Sequence, residues 1–438
     1  MDAAKRRRGW GPLLTCVLLW LCWVSLVEPV STVQDSRLDP GTPRLNSHRL
    51  HSHEDVVFCS SEMYESKLSP ESLVFIEKNT DPFLRDSLVA TKECIDRYCS
   101  TRRGRVHAKL MHPMKPRRAA ITLWGVFRSL HLVMCNLYTH ILVPFYENGY
   151  VEVDVFYHTY RQASLANARS HEYGARLHYE SSHLLPQATG IVSDPATFWE
   201  SFPFEPFQKW GDYWGKADNF TSTRHTLLAL NSMHTATILW EAEARSYDLV
   251  MYTRPDVALT TELAPTDLRR VQGFRNKGLE AWMRPSWQSW RGDNDRFAIG
   301  TPRAMATWGK RLEGAHEYVG HHRALGSETF VKWTMQRFKE KLDTCTCLYR
   351  VRAPDMNGNV AIPSMDVFTC RLIGRAGCIE DLLSQIKLQN LVFHGTSLAY
   401  FTQHYMDELG GCAAPEWLEG LRNTSAECDV MLQKQRLG

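Results

Sequence analysis

Residues Ala119–Val126 read AAITLWGV, an apolar run rich in strand formers, and residues Val151–His158 read VEVDVFYH, a second such run. Between them lie Gly125-Val126-Phe127-Arg128-Ser129 and a helix-like stretch that ends near Tyr146. Strand, helix and strand at these lengths are the signature of a βαβ unit, whose crossover makes the two strands parallel. The fold expected is α/β: a Rossmann-type, mostly parallel sheet flanked by helices.

The same grammar continues downstream. Leu227, Leu230, Met233, Ala236 and Trp240 recur every three or four residues, which predicts a helix over 223–244. It runs into Tyr247–Tyr252 (YDLVMY), a strand followed by Arg254-Pro255-Asp256. Proline cannot continue a central strand, so the chain turns there and sets Asp256 in a loop at the carboxyl end. In open α/β sheets that edge is where ligands bind. Further on, Trp290–Gly300 (WRGDNDRFAIG) brings acidic residues into a short apolar strand, and Thr301 with Pro302 forms an N-cap and first helical residue.

Outward from this core, the N-terminus carries Lys5, Arg6, Arg7 and Arg8 before an uncharged, largely apolar run from Trp10 to Val27. Positive charge stays cytosolic, so the remainder is expected to be translocated. Glu28 and Pro29 stand where a cleavage site would fall, which favours an uncleaved anchor; a cleaved signal and a secreted protein are the alternative. The organisation expected is a cytosolic tail (1–9), signal anchor (10–27), polar stem (28–55), helical flanking segment with a basic linker (56–118) and lumenal domain (119–438).

Cysteine usage agrees with an oxidising lumen. Of twelve cysteines, Cys16 and Cys22 lie in the apolar run, leaving an even set clustered near the two ends of the lumenal part, as for disulfides that fasten flanks to a core. Asn219-Phe220-Thr221 and Asn423-Thr424-Ser425 are glycosylation sequons. The net charge of +3 argues against nucleic acid as a partner. The basic run from Arg102 to Arg118, broken by Pro113 and Pro116, reads as a solvated linker.

Several chemistries are excluded. There is no GxxxxGK[ST] loop, GxSxG elbow or strand-linked GxGxxG. His316 and His321 look like a metalloprotease pair, but five residues on a helix set them about 140° apart, too far round to share a zinc ion.

YDLVMYTRPDVAL and NDRFAIGTPRAM, with the opening LWGVFRSL, together resemble a poorly characterised group of eukaryotic, largely algal, glycosyltransferase-like proteins, over roughly Ala119 to Phe338. The resemblance implies a GT-A-like fold that binds a nucleotide sugar at the carboxyl edge of its sheet. It also implies a DxD motif whose carboxylate holds Mn²⁺ or Mg²⁺ against the diphosphate, since a hard cation neutralises the leaving group. Asp256 falls at the second Asp; Arg254 replaces the first, so that either metal binding is weakened or the guanidinium meets phosphate directly. His394 is the expected second metal ligand. Arg128, Arg254 and Asp293 are expected at the donor, and Glu328 and Asp295 are the candidate catalytic carboxylates, Glu328 as general base for the acceptor hydroxyl.

Trp210, Trp214, Trp282, Trp287 and Trp290 are candidates for a sugar-stacking platform, with core packing as the alternative. The activity implied is transfer of a sugar to a glycan or glycoprotein by a single-pass type II protein of the Golgi membrane. A non-catalytic lumenal glycan- or nucleotide-binding protein on the same scaffold is the rival. A Golgi sulfotransferase would need a lysine and paired threonines after the first strand, which Gly125–Ser129 lacks.

Overall fold

The structure, a computed structural model, describes residues 59–100, 117–167, 172–259, 262–321, 323–344, 346, 348–352, 360–363 and 391–394. The expected anchor and stem lie outside them. Among the described residues no helix is long and apolar enough to cross a membrane.

Three helices come first, α1 (Ser61–Ser66), α2 (Pro70–Lys78) and α3 (Phe83–Ser100). β1 (Arg117–Trp124) then leads through α4 (Leu130–Leu137), a π-turn at Tyr138–Leu142 and α5 (Val143–Glu147) to β2 (Tyr150–Tyr160). The helix accommodates Pro144, which has no N–H to donate, by widening just before it. Next come β3 (Ser164–Asn167), β4 (Glu172–Arg176), β5 (Ala188–Ser193), α6 (Pro195–Ser201), α7 (Glu205–Gln208), α8 (Thr221–Ala242), β6 (Leu249–Thr253) and β7 (Val257–Leu259). The remainder comprises α9 (Pro265–Asn276), β8 (Ala281–Pro285), β9 (Phe297–Gly300), α10 (Pro302–Gly309), α11 (Ala315–Gly320), α12 (Ser327–Met335), β10 (Glu340–Thr344), β11 (Leu348–Arg350), β12 (Val360–Pro363) and β13 (Leu391–His394).

The central sheet has the order β10-β8-β9-β6-β1-β2-β5, and β9 runs antiparallel to its neighbours while the other strands are parallel. The βαβ unit read from 119–158 is present, with Ala119 opposite Val153 and Trp124 opposite His158. Both faces are covered, so β6 and the Ala119–Trp124 stretch of β1 are buried along their whole length. Ile121, Leu123, Val153, Val155 and Met251 share one core with Met134, Tyr138 and Leu142 of the crossover. Ala120, Phe156, Val250 and Tyr252 share the other with Met233, Trp240 and Trp308. The alternation is the period-two consequence of the pleat.

Cys59–Cys99 closes the helical flank on itself, and Cys94–Cys135 ties α3 to α4 of the sheet domain. Two details differ from the sequence reading. Arg117 and Arg118, assigned to the linker, open β1, because Glu152 and Asp154 on the adjacent β2 take Arg118 at 2.6 and 3.2 Å. Thr301 does stand before α10 with Pro302 at its first position, but its hydroxyl turns to Glu280 and Ala281 instead of capping the helix.

Candidate functional site

From β1 the sheet grows outward through β2 and β5, and the chain then returns to place β6 on the opposite side of β1. The carboxyl ends of β1 and β6 therefore flank a topological switch point, the crevice where doubly wound sheets bind ligands. Gly125 ends β1 with φ of 93°, a conformation glycine adopts without strain, and its N–H is held by Ser232 Oγ at 2.7 Å. Arg128 follows and is buried. Its Nη1 donates to Glu172 Oε2 at 2.7 Å and its Nε lies 3.3 Å from Asp256 Oδ2.

From β6, Arg254 donates Nε to Asp256 Oδ1 and Nη2 to Asp256 Oδ2, both at 2.8 Å. Its guanidinium lies 5.5 Å from the ring centroid of Trp124, at the end of β1. Arg352, just past β11, brings Nη1 to 3.8 Å from Glu172. Asp256 holds that segment in place, its carbonyl accepting from Val351 N at 2.7 Å.

Burial pushes the Asp256 carboxyl up, but Arg254, then Arg128, more than offset it and hold it well below the usual carboxylate range. Burial pushes Arg352 down to about 9, with Arg350 and Arg128 adding like-charge repulsion. Three guanidiniums, of Arg128, Arg254 and Arg352, thus share the carboxylates of Asp256 and Glu172. Arginine forks match phosphate oxygens, so the cluster suits an anionic ligand.

The same geometry does not fit the expected divalent cation. Mn²⁺ or Mg²⁺ needs oxygen lone pairs, and both oxygens of Asp256 already accept from Arg254. Among the described residues no group of His, Cys, Asp and Glu is placed to hold a metal. His394, the other expected ligand, ends β13 in a separate two-stranded sheet with β12; its side chain lies outside the described residues.

Asp295 accepts a short hydrogen bond from Ser327 Oγ at the start of α12. Burial pushes its carboxyl up, but Arg296, the Ser327 hydroxyl and Arg254 outweigh that and hold it below its ordinary range. Glu328 is buried in the first turn of the same helix, and its carbonyl accepts from Asp293 N at 3.0 Å. The two candidate catalytic carboxylates are therefore brought to one helix start. Asp293 is not with Arg128 and Arg254: its carboxylate accepts from Arg284 at 2.9 Å and Lys341 at 3.1 Å.

Glu172, Arg352, Trp124 and Ser327 were missed. Trp124 lies inside a recognised strand and Ser327 beside Glu328, but Glu172 and Arg352 carry no motif. Of the candidate sugar platform, Trp282 and Trp287 are core residues, while Trp210, Trp214 and Trp290 are half-buried. Asn219 of the first sequon is exposed; Asn423 lies outside the described residues.

No protein-family model and no curated protein matches the chain. Among solved structures, mouse xyloside xylosyltransferase 1 in its apo form is similar at 12% identity and a TM-score of 0.28, covering 64% of this chain and 98% of that one. The galactosyltransferase LgtC, complexed with donor and acceptor sugar analogs, is similar at 12% identity and a TM-score of 0.26, covering 52% and 73%. At these values neither likeness bears on activity, which is argued from the side chains.

Proposed function

We propose that this chain is a glycosyltransferase that passes a sugar from a nucleotide-sugar donor to a glycan or glycoprotein in the Golgi lumen, anchored through its N-terminal apolar segment. The observation that carries this reading is the meeting of Arg128 and Arg254 on Asp256 at the switch point beyond β1 and β6. As the bond to the sugar breaks, negative charge grows on the nucleoside diphosphate. Arg128, Arg254 and Arg352 are the groups that would stabilise it, in a site dry enough to strengthen the interaction. Glu328 is assigned as the base that takes the acceptor hydroxyl proton. Asp295, whose carboxyl is held below its ordinary range, is a poor proton acceptor and is assigned to orientation through Ser327.

The test is transfer by the full chain from a panel of nucleotide sugars to mixed glycan acceptors, beside Arg128→Ala and Glu328→Gln. Turnover should require one donor, Arg128→Ala should raise its KM, and Glu328→Gln should lower kcat by about 10²-fold or more. A folded sample that binds nucleotide sugar without turnover favours the rival, a lumenal binding protein. Saturation of Asp256 by Arg254 is the observation on that side.

A further inference from the structure

A second concave site lies beyond the carboxyl ends of β8 and β10. These strands run parallel with Arg284 opposite Asp343, and past them opens a cavity of about 270 Å³ lined by Arg284, Ser286, Ser289, Arg291, Lys332 and Asp343. That size is near the lower end of small-ligand pockets, roughly 300–1,000 Å³, and suits one sugar unit.

Its charges are unequal. Asp343 accepts from Arg284 Nη1 at 2.6 Å, and Asp293 behind it takes Arg284 Nε and Lys341. Those two carboxylates therefore answer Arg284 and Lys341, not the exposed Arg291 and Lys332 at the rim.

Arg291 and Lys332 both line the cavity, one from a loop and one from α12. Gln288, Trp290 and Arg291 all have positive φ, 51°, 44° and 66°, costly for non-glycine residues and most common where a loop serves a site. Gly292 then presses against α12 so closely that a Cβ there would lie 2.0 Å from the Glu328 carbonyl carbon. Lys332 is four residues beyond Glu328, on the same helix face one turn on. The strained turn and the helix thus share a wall of the cavity, whose lining also includes Ser286 and Ser289.

We infer that this cavity binds an acidic sugar, its carboxylate, sulfate or phosphate ester held between Arg291 and Lys332, so that the acceptor is an acidic glycan. The acceptor role rests on the glycosyltransferase reading; the anion site itself does not. The test titrates the full chain by calorimetry with methyl glucuronide, a galactose sulfate, a mannose phosphate and neutral methyl glucoside. UDP is titrated separately into the same preparation. Arg291→Ala and Lys332→Ala, both at exposed positions, should each weaken the preferred acidic sugar by about tenfold, Lys332→Glu should abolish binding, and UDP affinity should be unchanged. The acidic sugar that binds identifies the ester or carboxylate. Equal binding of methyl glucoside, or unchanged affinity in both alanine variants, overturns the inference. If UDP binds and no acidic sugar does, the anion site alone falls; if no acidic sugar binds and neither UDP, GDP nor any nucleotide sugar of the panel does, the glycosyltransferase reading falls with it.

Discussion

Arg254 grips Asp256 with both arms of its guanidinium, at 2.8 Å to each carboxylate oxygen, across a single intervening residue, Pro255. The proline that ends β6 also turns the chain so that residues two apart face each other. The position where a DxD motif would offer oxygens to a cation instead presents an internal ion pair flanked by two further arginines.

Diphosphate binding should therefore be independent of divalent metal. UDP or GDP affinity, measured by calorimetry, is expected to be the same in EDTA as in Mn²⁺, and to fall about tenfold or more in Arg128→Ala. Affinity that appears only with Mn²⁺ would show a cation displacing Arg254 from Asp256.

The Arg254–Asp256 pair is also structural. Arg254→Ala leaves a buried carboxylate with Arg128 at 3.3 Å, so the expected loss is about 3 kcal/mol, the lower end for breaking a buried pair. Arg254→Lys should recover only part of it, because an ammonium cannot make the two-pronged contact. Urea unfolding measures both; a loss under about 1 kcal/mol would mean the pair is solvated.

His158 should make the fold acid-sensitive above the carboxylate range. Burial pushes its imidazole from 6.5 down to about 4, with Nε2 at 2.9 Å from Ser193 Oγ. A depressed folded pKa means that the unfolded chain binds the proton first. The contribution is full above about pH 6.5 and lost as pH falls toward 4, the loss amounting to about 2 kcal/mol by pH 5. Denaturation midpoints across pH 7.5 to 5 should fall, and His158→Phe should make that slope shallower without removing it, because burial also pushes His131 down, to about 3.

Gly292→Ala should loosen the second site. The added methyl meets backbone of Glu328 and Thr329, not the end of a flexible side chain. Displacement of the turn should cost about 2 kcal/mol or more and weaken acidic-sugar binding with it. Unchanged stability in thermal unfolding would show that the turn and α12 yield freely.

The βαβ unit, the mostly parallel sheet and the loop that sets Asp256 on its carboxyl edge are legible in the amino-acid order. Those follow from apolar periods and a proline, which act over a few residues and leave a local trace. Which charges meet is settled by the folded arrangement alone. Glu172 and Arg352 join Arg128 from distant parts of the chain, Asp293 turns to Arg284, and Arg118 enters β1 because β2 supplies its carboxylates. Ion pairing has no period in sequence. Its strength depends on distance and on the exclusion of water, and both are set only when the sheet and its covering helices close.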